Sequence, residues 1–232
     1  MNSGLLNDVN FEKGLLDYFY LIDRDYPEKG ALKLVGDRHR ISKELRIILY
    51  RGVSSRQNSV RRARRLVKKP SGRLIIDGYN ILLTLLNYRL GHFVFISTDS
   101  ICRDAGSLFG KIKKDNFFSD CLTLLMEYLN AYRQVEFDIY LDSPVPSSKK
   151  HKKKLSEIIA TQKLPGNVHA VDSADLSIKD HHEGTIATSD SAIIDQTLNP
   201  VLDIPRQIIE SKYNTRLYDI GSKLNLLSRP HL

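Results

Sequence analysis

The chain changes its hydrophobic rhythm near residue 70. Before that point apolar positions recur at helical spacing. Residues 11–22 and 40–51 read as amphipathic helices; in the second, Ile41, Leu45, Ile48 and Leu49 fall at i, i+4, i+7 and i+8, while Arg40, Lys43, Glu44, Arg46 and Arg51 take other faces. Ser54 to Ser59 is a polar break, and Val60 to Lys69 is basic enough for a helix or an extended arm. Pro70, Ser71 and Gly72 then punctuate the chain. The pattern predicts a small helical domain with its linker over residues 1–70.

From Arg73 onward short apolar runs take over: RLII at 73–76, HFVFI at 92–96, EFDIYL at 136–141, NVHAV at 167–171 and GTIAT at 184–188. They alternate with helical stretches, which predicts a three-layer α/β domain with a mainly parallel sheet over residues 71–232. The clearest helix is Ser119 to Arg133, where Leu122, Leu125, Met126, Leu129 and Tyr132 make one apolar stripe.

Charge adds a partner class. The chain holds 35 Lys plus Arg against 27 Asp plus Glu, a formal net charge of +8. Twelve of the cations lie between Arg38 and Lys69, Arg61, Arg62, Arg64 and Arg65 among them, and a second run spans Lys149, Lys150, His151, Lys152, Lys153 and Lys154. Dense cation attracts polyanions because each neutralised phosphate releases a condensed counterion, so nucleic acid is the expected partner. The alternative for each run is a solvated surface. The leading MNSGLLNDVNFEKG lacks a basic segment followed by an apolar one, no apolar stretch is long enough to span a bilayer, and Cys102 and Cys121 form no C-x-x-C pair. A cytoplasmic protein without a membrane partner is expected.

In an open α/β sheet, ligands gather beyond the carboxyl ends of the parallel strands. RLII ends in Asp77, followed by Gly78, Tyr79 and Asn80; EFDIYL ends in Asp142; NVHAV ends in Asp172, with Asp175 three residues on; GTIAT is followed by Ser189 and Asp190. Carboxylates gathered on one edge repel one another, and a hard cation relieves the repulsion. Oxygen-only donors suit Mg²⁺ or Mn²⁺, which can activate a water for attack on phosphorus. The competing reading for any one Asp is a helix N-cap or a turn former. Asp104 is a candidate further ligand and Arg103 a candidate phosphate clamp, with a local Arg103–Asp104 interaction as the alternative. Tyr79 is placed either to stack an unpaired base or to pack in the core. No Walker A sequence, Gly-x-Gly-x-x-Gly fingerprint or Gly-x-Ser-x-Gly elbow is present.

I-I-D-G-Y-N at 75–80 resembles the opening motif of NYN-type PIN nuclease domains, and D-S-A-D at 172–175 with I-A-T-S-D at 186–190 is similar to their later acidic elements. The resemblance covers residues 73 to about 200. It implies a metal-dependent endoribonuclease in which Asp77, Asp142, Asp175 and Asp190 bind the metals, supported by Asp172 and Asn80. One departure is the stretch between Asp175 and Gly184, which has room only for a short helix. The whole chain also resembles an uncharacterised archaeal family in which a helical domain, marked here by V-G-D-R-H-R at 35–40, precedes a PIN-like domain. The rival function is a non-catalytic RNA-binding module of the same fold, associated with the ribosome or tRNA. Homodimerisation is left open.

Overall fold

The computed structural model describes residues 8–106 and 115–224. The first seven residues of the leading stretch and the last eight of the expected α/β domain lie outside them. The helices are α1 (Val9–Ile22), α2 (Glu28–Arg38), α3 (Lys43–Gly52), α4 (Arg56–Ala63), α5 (Gly78–Arg89), α6 (Asp115–Asn130), α7 (Ser148–Gln162), α8 (Ala174–Lys179), α9 (Ser191–Gln196), α10 (Ile204–Lys212) and α11 (Ile220–Lys223). The strands are β1 (Leu66–Val67), β2 (Leu74–Asp77), β3 (Val94–Ile96), β4 (Cys102–Asp104), β5 (Phe137–Asp142), β6 (Gly166–Val171), β7 (Thr185–Ala187), β8 (Val201–Leu202) and β9 (Tyr218–Asp219). The described residues fall into two compact units, one from residues 65–90 and 115–215, the other from 8–64, 91–106 and 216–224.

The larger unit is α/β. Its six strands run parallel in the order β1-β8-β7-β2-β5-β6. The central β2 is buried at every position, as expected of a strand covered on both faces, and its Leu74, Ile75 and Ile76 leave no room for alternation. From β2 the chain adds β5 and β6 outward on one side, then returns to add β7 and β8 on the other. The order therefore reverses between β2 and β7, the place where an open α/β sheet is expected to leave a crevice at the carboxyl ends of its strands. Helices α5, α6 and α7 pack among themselves, with α10 against α5 and α6, while α8 packs with α9; the right-handed crossover rule assigns α5–α7 and α8–α9 to opposite faces of the sheet. Leu122, Leu125, Met126 and Leu129 of the expected stripe are buried in α6, whereas Tyr132 is half-buried and lies beyond the helix end at Asn130.

The smaller unit is mainly helical. Asp8 caps α1 by accepting the Asn10 N–H, and Phe11, Leu15, Tyr18 and Ile22 form the buried stripe. Ser42 and Ser55 cap α3 and α4 in the same way. These helices close a core that also takes in Phe95 and Ile220. HFVFI is therefore a strand, but not of the parallel sheet: β3 pairs antiparallel with β4 and parallel with β9. Gly52 explains the close approach of α3, since a Cβ there would stand 2.6 Å from Phe95 Cε2 and 2.8 Å from Ile220 Cδ1. The basic stretch 60–69 is divided, ending α4 at Ala63 and continuing as β1 beside β8. Among the described residues no helix is long and apolar enough to cross a membrane.

Candidate functional site

Asp77 is the last residue of β2 and the N-cap of α5, so strand register and helix start fix it together. Its Oδ1 accepts the Asn80 N–H at 3.3 Å and its Oδ2 accepts the Thr188 hydroxyl at 2.8 Å. That second bond crosses from β2 to the residue following β7, which is where the strand order reverses. Asn80 makes a parallel link: its Oδ1 accepts both the N–H and the hydroxyl of Ser189 at 2.9 Å. Thr188 also receives the Asp190 N–H at 3.1 Å. Asp190 in turn caps α9 by accepting the Ala192 N–H at 2.7 Å.

Register places the next carboxylate. Asp77 lies opposite Tyr140 in the β2–β5 ladder, so Asp142, two residues on, projects beyond the same sheet edge. Asp142 Oδ1 accepts the Ala174 N–H at 2.9 Å, which ties β5 to the start of α8. Asp175 sits in the first turn of α8, half-buried, and among the described residues its carboxylate has no hydrogen-bond partner.

Electrostatics shows these four groups acting on one another. Burial pushes the Asp77 carboxyl up to about 7; hydrogen bonds from Thr188 and Asn80 oppose the rise, and the charges of Asp175 and Asp142 add to it. Asp175 is also raised, by burial first and then by Asp190 and Asp142, with Lys179 opposing. Asp77, Asp142, Asp175 and Asp190 therefore form one acidic group at the crevice, and they are the residues that could hold a hard cation. Among the described residues, no three His, Cys, Asp or Glu side chains stand where they would hold one metal ion directly. Asp172 is exposed just after β6, and neither Asp77 nor Asp175 senses its charge among the influences given above.

The other candidates have different surroundings. Arg103 and Asp104 lie on β4 in the smaller unit. Arg103 Nη1 and Nη2 donate to the two oxygens of Asp99 at 2.7 and 2.8 Å, and Arg62 adds a third bond at 3.1 Å. All three side chains are buried, so these guanidiniums are committed to an internal ion cluster. Asp104 accepts the Gly106 N–H and stands 3.6 Å from Arg51. Arg65 clamps carbonyl oxygens of Ile194 and Asn199 and the Thr197 hydroxyl, holding the β7–β8 connection. Arg61 is exposed and bonds to Asn58, and Arg64 is exposed. Lys149 and Lys150 are exposed near the start of α7, whose buried stripe is Ser148, His151, Leu155 and Ile159. Tyr79 is core: it is 1 % exposed, and its hydroxyl meets His151 Nδ1 at 3.0 Å.

Thr188 escaped the sequence reading. Its signal was its place inside I-A-T-S-D, one residue ahead of the serine that drew attention.

The comparisons divide the chain where its rhythm changes. A family described as a protein of unknown function (DUF434) matches residues 10–65, and a domain of unknown function (DUF5616) matches residues 68–207, more than half of the chain. The chain belongs to the DUF5616 family. The DUF5616 match takes in β2, β5, β6, β7 and β8, and with them Asp77, Asp142, Asp175, Thr188 and Asp190. An uncharacterised protein of the archaeon Methanocaldococcus jannaschii is 32% identical over 207 residues, covering 87% of this chain and 98% of its own length. The archaeal protein therefore shares both the helical region and the DUF5616 domain. No solved structure matches.

Proposed function

We propose that the chain is a metal-dependent ribonuclease of the PIN/NYN type, with Asp77, Asp142, Asp175 and Asp190 as its acidic centre. The observation that carries the reading is the placement of Asp77 and Asp142 at the carboxyl ends of the adjacent strands β2 and β5, with Asp190 three residues after β7, where the strand order reverses; the upward shift of the Asp77 carboxyl, caused first by burial and then by Asp175 and Asp142, agrees with it. Such a site has a deficit of positive charge. Its donors are all oxygens, which matches Mg²⁺ or Mn²⁺; these ions keep several waters and bind through one or two carboxylates. When bound, the ion would supply charge neutralisation and an activated water for phosphodiester hydrolysis.

The chain's own residues have definite parts. Asp77 is held rigidly by Thr188 and by the start of α5, so its oxygens are fixed in direction. Asn80 gives its carbonyl oxygen to Ser189 and keeps its amide donors for a phosphate oxygen. Lys149 and Lys150, exposed on α7 of the same unit, offer cation to the flanking backbone. RNA as substrate follows from the motif resemblance at 75–80, 172–175 and 186–190.

A second reading, RNA binding without hydrolysis, is favoured by one observation: Asp77, Asp142 and Asp190 each accept a backbone N–H, so each has a structural task. Cleavage separates the two. Labelled single-stranded RNA and DNA are incubated with purified protein in Mn²⁺, Mg²⁺ or EDTA, alongside Asp77→Asn and Asp190→Asn. The nuclease reading expects metal-dependent RNA cleavage that both substitutions abolish. RNA binding with no cleavage in any metal supports the second reading, and equal cleavage by all three proteins refutes the proposed centre.

A further inference from the structure

The V-G-D-R-H-R stretch lies in the smaller unit, outside the acidic group. It forms the end of α2. The Ile41 N–H bonds to the Gly36 carbonyl at 2.9 Å and the Arg40 N–H to the Asp37 carbonyl at 3.3 Å. Between them Arg40 takes a left-handed φ of 51°. This is the six-to-one closure whose left-handed position ordinarily holds glycine, because a Cβ is disfavoured there. Arginine at that position costs backbone energy relative to glycine.

That side chain faces a cavity of about 560 Å³ lined by Asn10, Lys13, Arg38, His39 and Arg40. The local anion is Asp17, which meets His39 Nε2 at 2.7 Å and stands 3.8 Å from Arg38 Nε. The Lys13 ammonium and the Arg40 guanidinium have no hydrogen-bond or ion-pair partner among the described residues. The wall carries the permanent cations Lys13, Arg38 and Arg40, and Asp17, which is not part of the lining, is engaged by His39 and Arg38. Lys13, Arg38 and Arg40 are all exposed, so a ligand can enter by its charged end and leave the remainder in solvent.

We propose that this pocket binds a phosphate group, carried either by an RNA strand or by a free phosphate compound. A guanidinium and an ammonium supply charge-assisted donors, and the Asn10 carboxamide adds a neutral one. The inference goes beyond hydrolysis at the carboxylates and does not require it; only the RNA source rests on the proposed function.

The test uses the full chain carrying Asp77→Asn in EDTA, so that cleavage does not interfere. Inorganic pyrophosphate binding is measured by calorimetry, and binding of labelled single-stranded RNA by fluorescence anisotropy over a salt series. Arg40→Gly and Lys13→Gln are compared singly and together. Because glycine suits the left-handed position, Arg40→Gly keeps or raises the melting temperature, which separates loss of binding from loss of fold. The proposal expects the double variant to bind pyrophosphate at least about tenfold more weakly. If an RNA strand is the source, its affinity falls as well, and the salt slope shrinks by about 0.7 per lost contact. Weaker pyrophosphate binding with unchanged RNA binding supports the pocket and assigns it to a free phosphate compound. Pyrophosphate affinity that is unmeasurable in the parent, or equal in parent and folded double variant, overturns the proposal whatever the carboxylate site does.

Discussion

A carboxylate whose folded pKa lies above its unfolded value works against the fold once it ionises. Asp77 rises from an ordinary 3.8 to about 7, so the native state holds the proton more tightly than the unfolded chain between those values. Stability is complete below about pH 4 and falls as the pH climbs to about 7, by up to about 4 kcal/mol for this one group. In EDTA at pH 8, Asp77→Asn should therefore melt at a higher temperature than the parent, and the difference should vanish at pH 4. Asp99 is the opposite case. Burial alone would raise it, but the Arg103 guanidinium, helped by Ser97 and Arg62, brings it to about 2. Its contribution is present above the unfolded value near 4 and is lost as the pH drops through about 2. Asp99→Asn leaves two buried arginines without a counter-charge and should cost about 3–5 kcal/mol in a urea titration at pH 7. A loss under 1 kcal/mol would show that the cluster is solvated in solution.

At the scale of elements, the join between β2 and α5 determines where the Asp77 carboxylate sits. Gly78 follows it immediately, and a Cβ there would stand 2.6 Å from Leu141 Cδ2, 2.8 Å from the Tyr140 carbonyl oxygen and 2.9 Å from Ile139 Cγ2. The glycine of I-I-D-G-Y-N is thus required by the close approach of α5 to β5. Gly78→Ala should lower stability by about 1–3 kcal/mol, read from denaturant midpoints, and should lower any metal-dependent activity more than the stability loss accounts for. The strands that carry the aspartates were legible in the sequence because parallel strands buried on both faces read as short apolar runs. The location of HFVFI was not. Its partners β4 and β9 come from distant parts of the chain, and nothing in a single apolar run says which sheet it joins. Helix α2 was missed because Ala31, Val35 and Gly36 give only a thin apolar stripe among charged residues. The basic run misled for a related reason: composition counts Arg62 and Arg65 as surface cation, whereas Arg62 is buried against Asp99 and the half-buried Arg65 is committed to backbone carbonyls.

For the molecule as a whole, the central proposal is that a group of four aspartates, distant in sequence, takes a divalent cation through one or two of its carboxylates at the point where the sheet order reverses. Binding of a nucleic acid and binding of a phosphate group by the helical unit are separate properties. Each can fail without the other. The most direct measurement is Mn²⁺ binding by the full chain at pH 7.5, followed by electron paramagnetic resonance, for the parent, Asp77→Asn and Asp190→Asn. The account predicts binding by the parent that weakens by about tenfold or more when either carboxylate becomes an amide. Equal Mn²⁺ binding by all three proteins, or none by the folded parent, would contradict it.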